Sequence, residues 1–192
     1  MIQQAARMQG IEKSLIRQIY DQAEQGSVNL GLGELDFATP KNIRNAAVDL
    51  LECGKIHYTP NAGLEALRIV IANYYDDSNI ERVCVTNGSE EALFLAIMAF
   101  VNPDDEVLIP DPGYVAYRTI VNIAGGKPVP YRLSADNQFK FDADDFRNKI
   151  SERTRLVILA SPSNPTGCIL NKNDLRAVAD ALKDKDVIVI SD

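Results

Sequence analysis

The chain has 192 residues, 46% hydrophobic and 24% charged, the balance of an ordinary globular chain able to bury a sizeable core. With 20 basic against 27 acidic side chains its formal charge is −7, which argues against a general nucleic-acid or anionic-membrane surface. No apolar run approaches a membrane span, and Met1-Ile2-Gln3-Gln4 does not begin a secretory signal. Cys53, Cys84 and Cys168 are too scattered for a disulfide framework, His57 is the only histidine, and no metal site is expected; a reducing cytoplasm is the expected location.

Ile11, Leu15, Ile16, Ile19 and Ala23 recur at helical spacing over residues 11–25, with Gly26 as a stop. Residues 30–37 then read as an extended, glycine-loosened segment. Thr39 and Pro40 suit the N-cap and first position of a helix carrying Ile43, Ala46, Ala47, Leu50 and Leu51, which ends near Gly54. His57 to Gly63 is a loop by composition, and Leu64, Leu67, Ile71 and Tyr74 mark another helix.

From residue 82 strands and helices alternate. Val83 to Thr86 is a short apolar strand, and Asn87-Gly88-Ser89-Glu90-Glu91 opens a helix through Leu93, Ile97 and Phe100. Glu106 to Ile109 is a second strand, followed by the turn Pro110 to Tyr114 and a helix from Val115 to Ala124. Residues 127–133 form a third strand, Asp142 caps a short helix through Ile150, and the apolar run Leu156 to Ala160 is a fourth strand, buried on both faces. Asn171, with Asp174 in a capping-box role, opens a helix through Leu182, and residues 186–190 are the last strand. This rhythm predicts an α/β fold, a mainly parallel sheet with helices on both faces. A buried-type strand followed only by Ser191-Asp192 further suggests the front part of a longer chain.

Loops at the carboxyl ends of parallel strands are where open α/β sheets hold ligands. Four stretches fall there: Asn87-Gly88-Ser89, Pro112-Gly113-Tyr114, Asn164-Pro165 and Ser191-Asp192. Gly88, Ser89 and Glu90 offer backbone donors and the positive end of a helix dipole to a phosphate, although a plain capped helix explains them better on local grounds. Tyr114 either stacks on a flat ring or packs beside Tyr117, and Asn164 either touches a ligand or sits in an ordinary turn. Asp192, after an apolar strand, needs a cation, a donor or solvent.

Taken together these stretches resemble the front portion of a class I/II aminotransferase, of the fold-type I family dependent on pyridoxal 5′-phosphate. The resemblance rests on residues 30–40, Tyr58 to Gly63 with Leu67-Arg68, Thr86 to Leu93, Asp111 to Tyr117, Ser161 to Gly167 and Val189 to Asp192, all in family order. It implies an N-terminal arm and small-domain segment over residues 1–40 and, over 41–192, the first part of a large cofactor-binding domain. It also implies roles. Gly88, Ser89 and Glu90 would cradle the phosphate, Tyr114 would stack on the pyridine ring, and Asn164 would donate to its phenolic oxygen, aimed by a cis bond to Pro165. Asp192 would pair with the ring N–H, Tyr58 would reach the phosphate of a neighbouring subunit in a homodimer, and Gly33 would lie over the substrate carboxylate. An amino acid and a 2-oxo acid would be the substrates.

Departures from the family pattern bear on this. Leu35 stands where proline is frequent, and Glu90 brings a carboxylate near a phosphate, tolerable if it turns outward. The family's Schiff-base lysine and its substrate-gripping arginine lie beyond the Asp192 position, and none of Lys127, Lys140, Lys149, Lys172, Lys183 and Lys185 has the matching context. The expectation is therefore a partial cofactor cradle without turnover of its own. In the family the first large-domain strand pairs with one contributed after the Asp192 position. Val83 to Thr86 should then lack a neighbour, and the last strand should be an exposed edge. The alternatives are a β-lyase or decarboxylase on the same cofactor, and a non-catalytic fragment with a role in assembly. A nucleotide-binding domain ranks last, because Asn87 to Glu90 lacks the G-x-G-x-x-G spacing.

Overall fold

The computed structural model describes residues 2–11, 13, 15–24, 26–31 and 33–192. Glu12, Ser14 and Gln25 of the expected first helix, Leu32 of the loosened segment and Met1 lie outside the described residues. The chain divides into two compact units, Lys13–Thr86 and Met1–Glu12 with Asn87–Asp192.

Lys13–Thr86 holds the helices α1 (Leu15–Asp21), α2 (Lys41–Glu52) and α3 (Glu65–Tyr74), followed by a 3₁₀ turn at Ile80–Arg82. The apolar stripe of α2 is exposed, with Ile43, Leu50 and Leu51 more than half open. Arg68 and Ala72 of α3 are buried. The Arg68 guanidinium donates to the Val83 carbonyl at 2.9 Å and the Ile80 carbonyl at 2.6 Å, and meets the Glu81 carboxylate at 3.4 Å. Gly63 has φ +101°, and a Cβ there would stand 2.6 Å from Val85 Cγ2, so only glycine lets this turn approach residue 85.

The larger unit is an α/β sandwich. Its elements are α4 (Gly88–Phe100), β1 (Glu106–Asp111), α5 (Val115–Ile123), β2 (Lys127–Arg132), α6 (Ala143–Lys149), β3 (Thr154–Leu159), α7 (Lys172–Leu182) and β4 (Ile188–Ser191). The four strands are parallel in the order β2-β1-β3-β4. The crossover from β1 out to β2 carries α5, and the return across β1 to β3 and on to β4 carries α6 and α7. Right-handed connections of opposite travel put these helices on opposite faces. The core divides accordingly. Val107, Ile109, Leu156 and Ile158 pack with Leu93 and Ile97 of α4 and Tyr117, Ile120 and Val121 of α5. Leu108, Val157 and Leu159 pack with Tyr131, Phe146 of α6 and Val178 of α7. Val107, Leu108, Leu156, Val157 and Ile158 are all 0% exposed, each burial contributing roughly 1.5–3 kcal/mol before entropy is charged. The apolar runs of the sequence are thus strands covered on both faces, as expected.

Two expectations need correction. Val83 to Thr86 joins no ladder; it runs as irregular backbone, tied by the Val85 N–H to the Ala62 carbonyl at 2.9 Å. Its composition suits a strand, but a strand exists only where a neighbour completes the hydrogen bonds, and the sheet of the described residues offers none. As the resemblance implies, β4 is an edge of the sheet among the described residues, with Val189 45% exposed. Thr39 does not cap α2: Pro40 is the N-cap residue, with ψ 138°, and the helix starts at Lys41.

Candidate cofactor site

The strand order reverses direction at β1, whose neighbours β2 and β3 are reached by connections of opposite travel. The carboxyl ends of β1 and β3 flank the crevice that such a reversal opens, the usual ligand position in this architecture. Beyond β1 run Pro112, Gly113 and Tyr114, and beyond β3 runs the loop from Ala160 to Leu170. The peptide bonds before Pro112, Pro162 and Pro165 are cis. Asp192 follows β4: its N–H donates to the Leu159 carbonyl at 2.8 Å, and its carbonyl accepts from Ser161 N–H at 3.3 Å. The loop bearing Asn164 is thereby tied to the strand end bearing Asp192.

Side chains link the other parts of this rim. Tyr114, half-buried at the N-cap of α5, donates its hydroxyl to Glu90 Oε2 at 3.1 Å. The Tyr117 hydroxyl donates to Asp192 Oδ2. The two tyrosine rings meet edge to face, with centroids 5.5 Å apart and planes at 84°. Burial, then the Glu90 carboxylate, pushes the Tyr114 phenol above its ordinary value. Burial and then Asp192 push the Tyr117 phenol up further, so both hydroxyls remain donors through the neutral range.

The structure therefore brings Gly88, Ser89, Glu90, Tyr114, Asn164 and Asp192 onto one rim. Gly88 to Glu90 form the opening turn of α4, where the backbone N–H of Asn87 is taken by Glu91 Oε2. Glu90 is exposed, yet it turns to the Tyr114 hydroxyl rather than simply outward. Tyr58 and Gly33 belong to the other unit; Tyr58 is fully exposed, and among the described residues other than its chain neighbours nothing stands within 4 Å of a Cβ placed on Gly33. The sequence reading placed Tyr117 only in the core. Its spacing of three from Tyr114 puts both on one helical face, a signal that points Tyr117 to the same rim. Ser163 was also missed: it is 5% exposed, and its Oγ has no hydrogen-bond partner among the described residues.

The parallel sheet covered on both faces, with this rim at the carboxyl ends of its strands, defines an open α/β domain of the kind that holds ligands at a reversal of strand order. A family profile described as "Aminotransferase class I and II" matches residues 25–192, and the chain belongs to that family. The YugH protein of Bacillus subtilis (strain 168) is 42% identical over 193 residues, covering 96% of this chain and 50% of that protein. An aspartate aminotransferase of Pyrococcus horikoshii is 38% identical over 195 residues, covering 98% of this chain and 50% of that protein. Among solved structures, the aspartate aminotransferase from Thermus thermophilus with maleate superposes with a TM-score of 0.93 at 32% identity, over 100% of this chain and 53% of that one. The chain spans about half the length of the curated relatives it matches.

Membership of this family implies pyridoxal 5′-phosphate, and the rim fits that group on several counts. Among the described residues, apart from the adjoining backbone, nothing stands within 4 Å of a Cβ built on Gly88, which has φ +82°, so the first turn of α4 is open on that side. The first N–H groups of a helix, here those of Ser89 and Glu90, have no acceptor within the helix. Tyr114 offers a flat face beside that turn, Asp192 an oriented anion, and the Asn164 loop carries the unmet polar demand of Ser163. Among the described residues no helix is long and apolar enough to cross a membrane.

Proposed function

We propose that this chain serves a pyridoxal-phosphate-dependent aminotransferase, which moves an amino group from an amino acid to a 2-oxo acid. The observation that carries the reading is the convergence of Gly88 to Glu90, Tyr114, Asn164 and Asp192 on one rim at the reversal of strand order. When bound, the cofactor supplies an electron sink that accepts the pair left by a breaking substrate bond. Asp192 would hold a proton at the ring nitrogen, keeping the ring cationic. Ser89 and Glu90 N–H groups, helped by the α4 dipole, would take the phosphate. Tyr114 would cover one ring face, and Asn164 would donate to the phenolic oxygen. Tyr58 would act in a homodimer on the neighbouring subunit's phosphate, and Gly33 would leave space for the substrate carboxylate. The division into an arm over residues 1–40 and a cofactor-binding domain over 41–192, and a cytoplasmic setting, belong to the same reading. The aminotransferase names of several relatives favour it over a β-lyase or decarboxylase.

None of the candidate lysines of residues 1–192 stands in the sequence context of the family's Schiff-base lysine, although Lys172 opens α7 just beyond the loop bearing Asn164. Lys127 starts β2 and pairs with Asp104 at 2.6 Å, while Lys183 and Lys185 precede β4 at the opposite end of the sheet. The reading therefore expects cofactor binding by this chain without covalent attachment. Incubation with pyridoxal phosphate, borohydride reduction and peptide mapping test it. Saturable binding with no single lysine carrying the adduct is expected. Stoichiometric labelling of one lysine with amine transfer, or no saturable binding, would contradict it.

A further inference from the structure

Tyr117 is 1% exposed, yet a phenol needs a partner for its hydroxyl when buried, and here that partner is the Asp192 carboxylate. The contact joins residues 75 apart in sequence, from the first turn of α5 to the end of β4. Asp192 has both its N–H and its C=O held by the β3 side of the sheet, at Leu159 and Ser161, so the hydroxyl sets what remains free, the orientation of the carboxylate. Tyr117 occupies Oδ2, which leaves Oδ1 to face a second donor. Among the described residues no lysine or arginine forms an ion pair with Asp192, so the phenol orients the carboxylate without neutralising it. Tyr117 is itself held, edge-on against Tyr114 and packed among Ile97, Ile120 and Leu156. A rigid, neutral donor behind a carboxylate is the arrangement by which outer groups tune a ligand they never touch.

We propose that Tyr117 is a positioning residue: its hydroxyl orients the Asp192 carboxylate toward the ring nitrogen of the bound cofactor. The proposal rests on the cofactor reading above and deepens it. A phenol bond to a carboxylate is among the stronger neutral-to-charged hydrogen bonds, and its loss should cost roughly tenfold in whatever depends on the aim of Asp192.

The test uses Tyr117→Phe, which keeps the ring and its packing and removes only the hydroxyl. Affinity is measured for pyridoxal phosphate and for its 1-deaza analogue, whose ring carries C–H in place of the nitrogen. The substitution should weaken pyridoxal phosphate roughly tenfold and leave the 1-deaza analogue nearly unchanged. Equal weakening of both would mean a merely structural role and overturn the proposal, as would no weakening of either. A cofactor-free arm keeps the two readings apart. With ¹³Cζ-labelled tyrosine at neutral pH, the Tyr117 resonance, assigned by its loss in Tyr117→Phe, should move in Asp192→Asn while the Tyr131 resonance stays. An unmoved Tyr117 resonance overturns the bond itself. If it moves but wild type binds no pyridoxal phosphate, the cofactor reading falls and the proposal with it.

Discussion

Arg68 is 8% exposed although it carries a full charge, and its surroundings explain why. Its guanidinium serves two backbone carbonyls, of Val83 and Ile80, that no strand partner satisfies, with the Glu81 carboxylate close by. Replacement by lysine keeps the charge but replaces a planar fork with a point donor, leaving at least one part-buried carbonyl without its donor. Arg68→Lys should therefore destabilise the Lys13–Thr86 unit by about 2 kcal/mol, read by chemical denaturation with a probe in that unit. Nothing in the sequence announces this role. Leu67-Arg68 was legible as part of a family motif, whereas its partners are main-chain atoms that only the folded path brings near. Tyr117 was hidden for a related reason: a buried tyrosine reads as core, and the carboxylate it grips is far along the chain. Asn164 and Asp192 were legible because each lies beyond the carboxyl end of an apolar strand, and the rule that ligands gather there needs no side-chain detail.

At the scale of elements, what depends on neighbours in sequence was readable and what depends on distant partners was not. Asn171 and Asp174 make the expected capping box, and Asp142 caps α6 through the N–H groups of Asp144 and Asp145. Val83 to Thr86 has the composition of a strand and forms none, because pairing is settled by another element. The start of β1 shows a connection of the same distant kind. Glu106 accepts from the Ser151 hydroxyl at 2.5 Å and from the Arg153 guanidinium at 2.8 Å, clamping β1 to the turn that leads into β3. The Ser151 hydroxyl, and next Arg153, hold the Glu106 carboxyl below its ordinary value of 4.5. Such a group stabilises the fold above that value and loses its contribution as pH falls through the lowered one. Thermal melts of wild type and Glu106→Gln should differ at neutral pH and converge as pH falls below 4.5. A constant difference down the acid limb would show that the clamp does not act through its charge.

For the molecule as a whole, the central claim is that one sheet edge gathers a cofactor cradle from four separate elements. In that proposal α4 (Gly88–Phe100) would supply the phosphate turn, Tyr114 at the start of α5 the ring shelf, the loop after β3 the amide and Asp192 after β4 the carboxylate. A rival position exists on the same unit. A concavity of about 640 Å³ is lined by the cationic side chains of Arg132 and Lys149 beside Asp111 and Asp145, and its two cationic groups would also attract a phosphate. Amide-resolved NMR titration with pyridoxal phosphate separates the two. The account predicts saturable shifts at Gly88, Ser89, Glu90, Tyr114, Asn164 and Asp192, with Arg132 and Lys149 still. Shifts centred on Arg132 and Lys149 with the rim unmoved would contradict it.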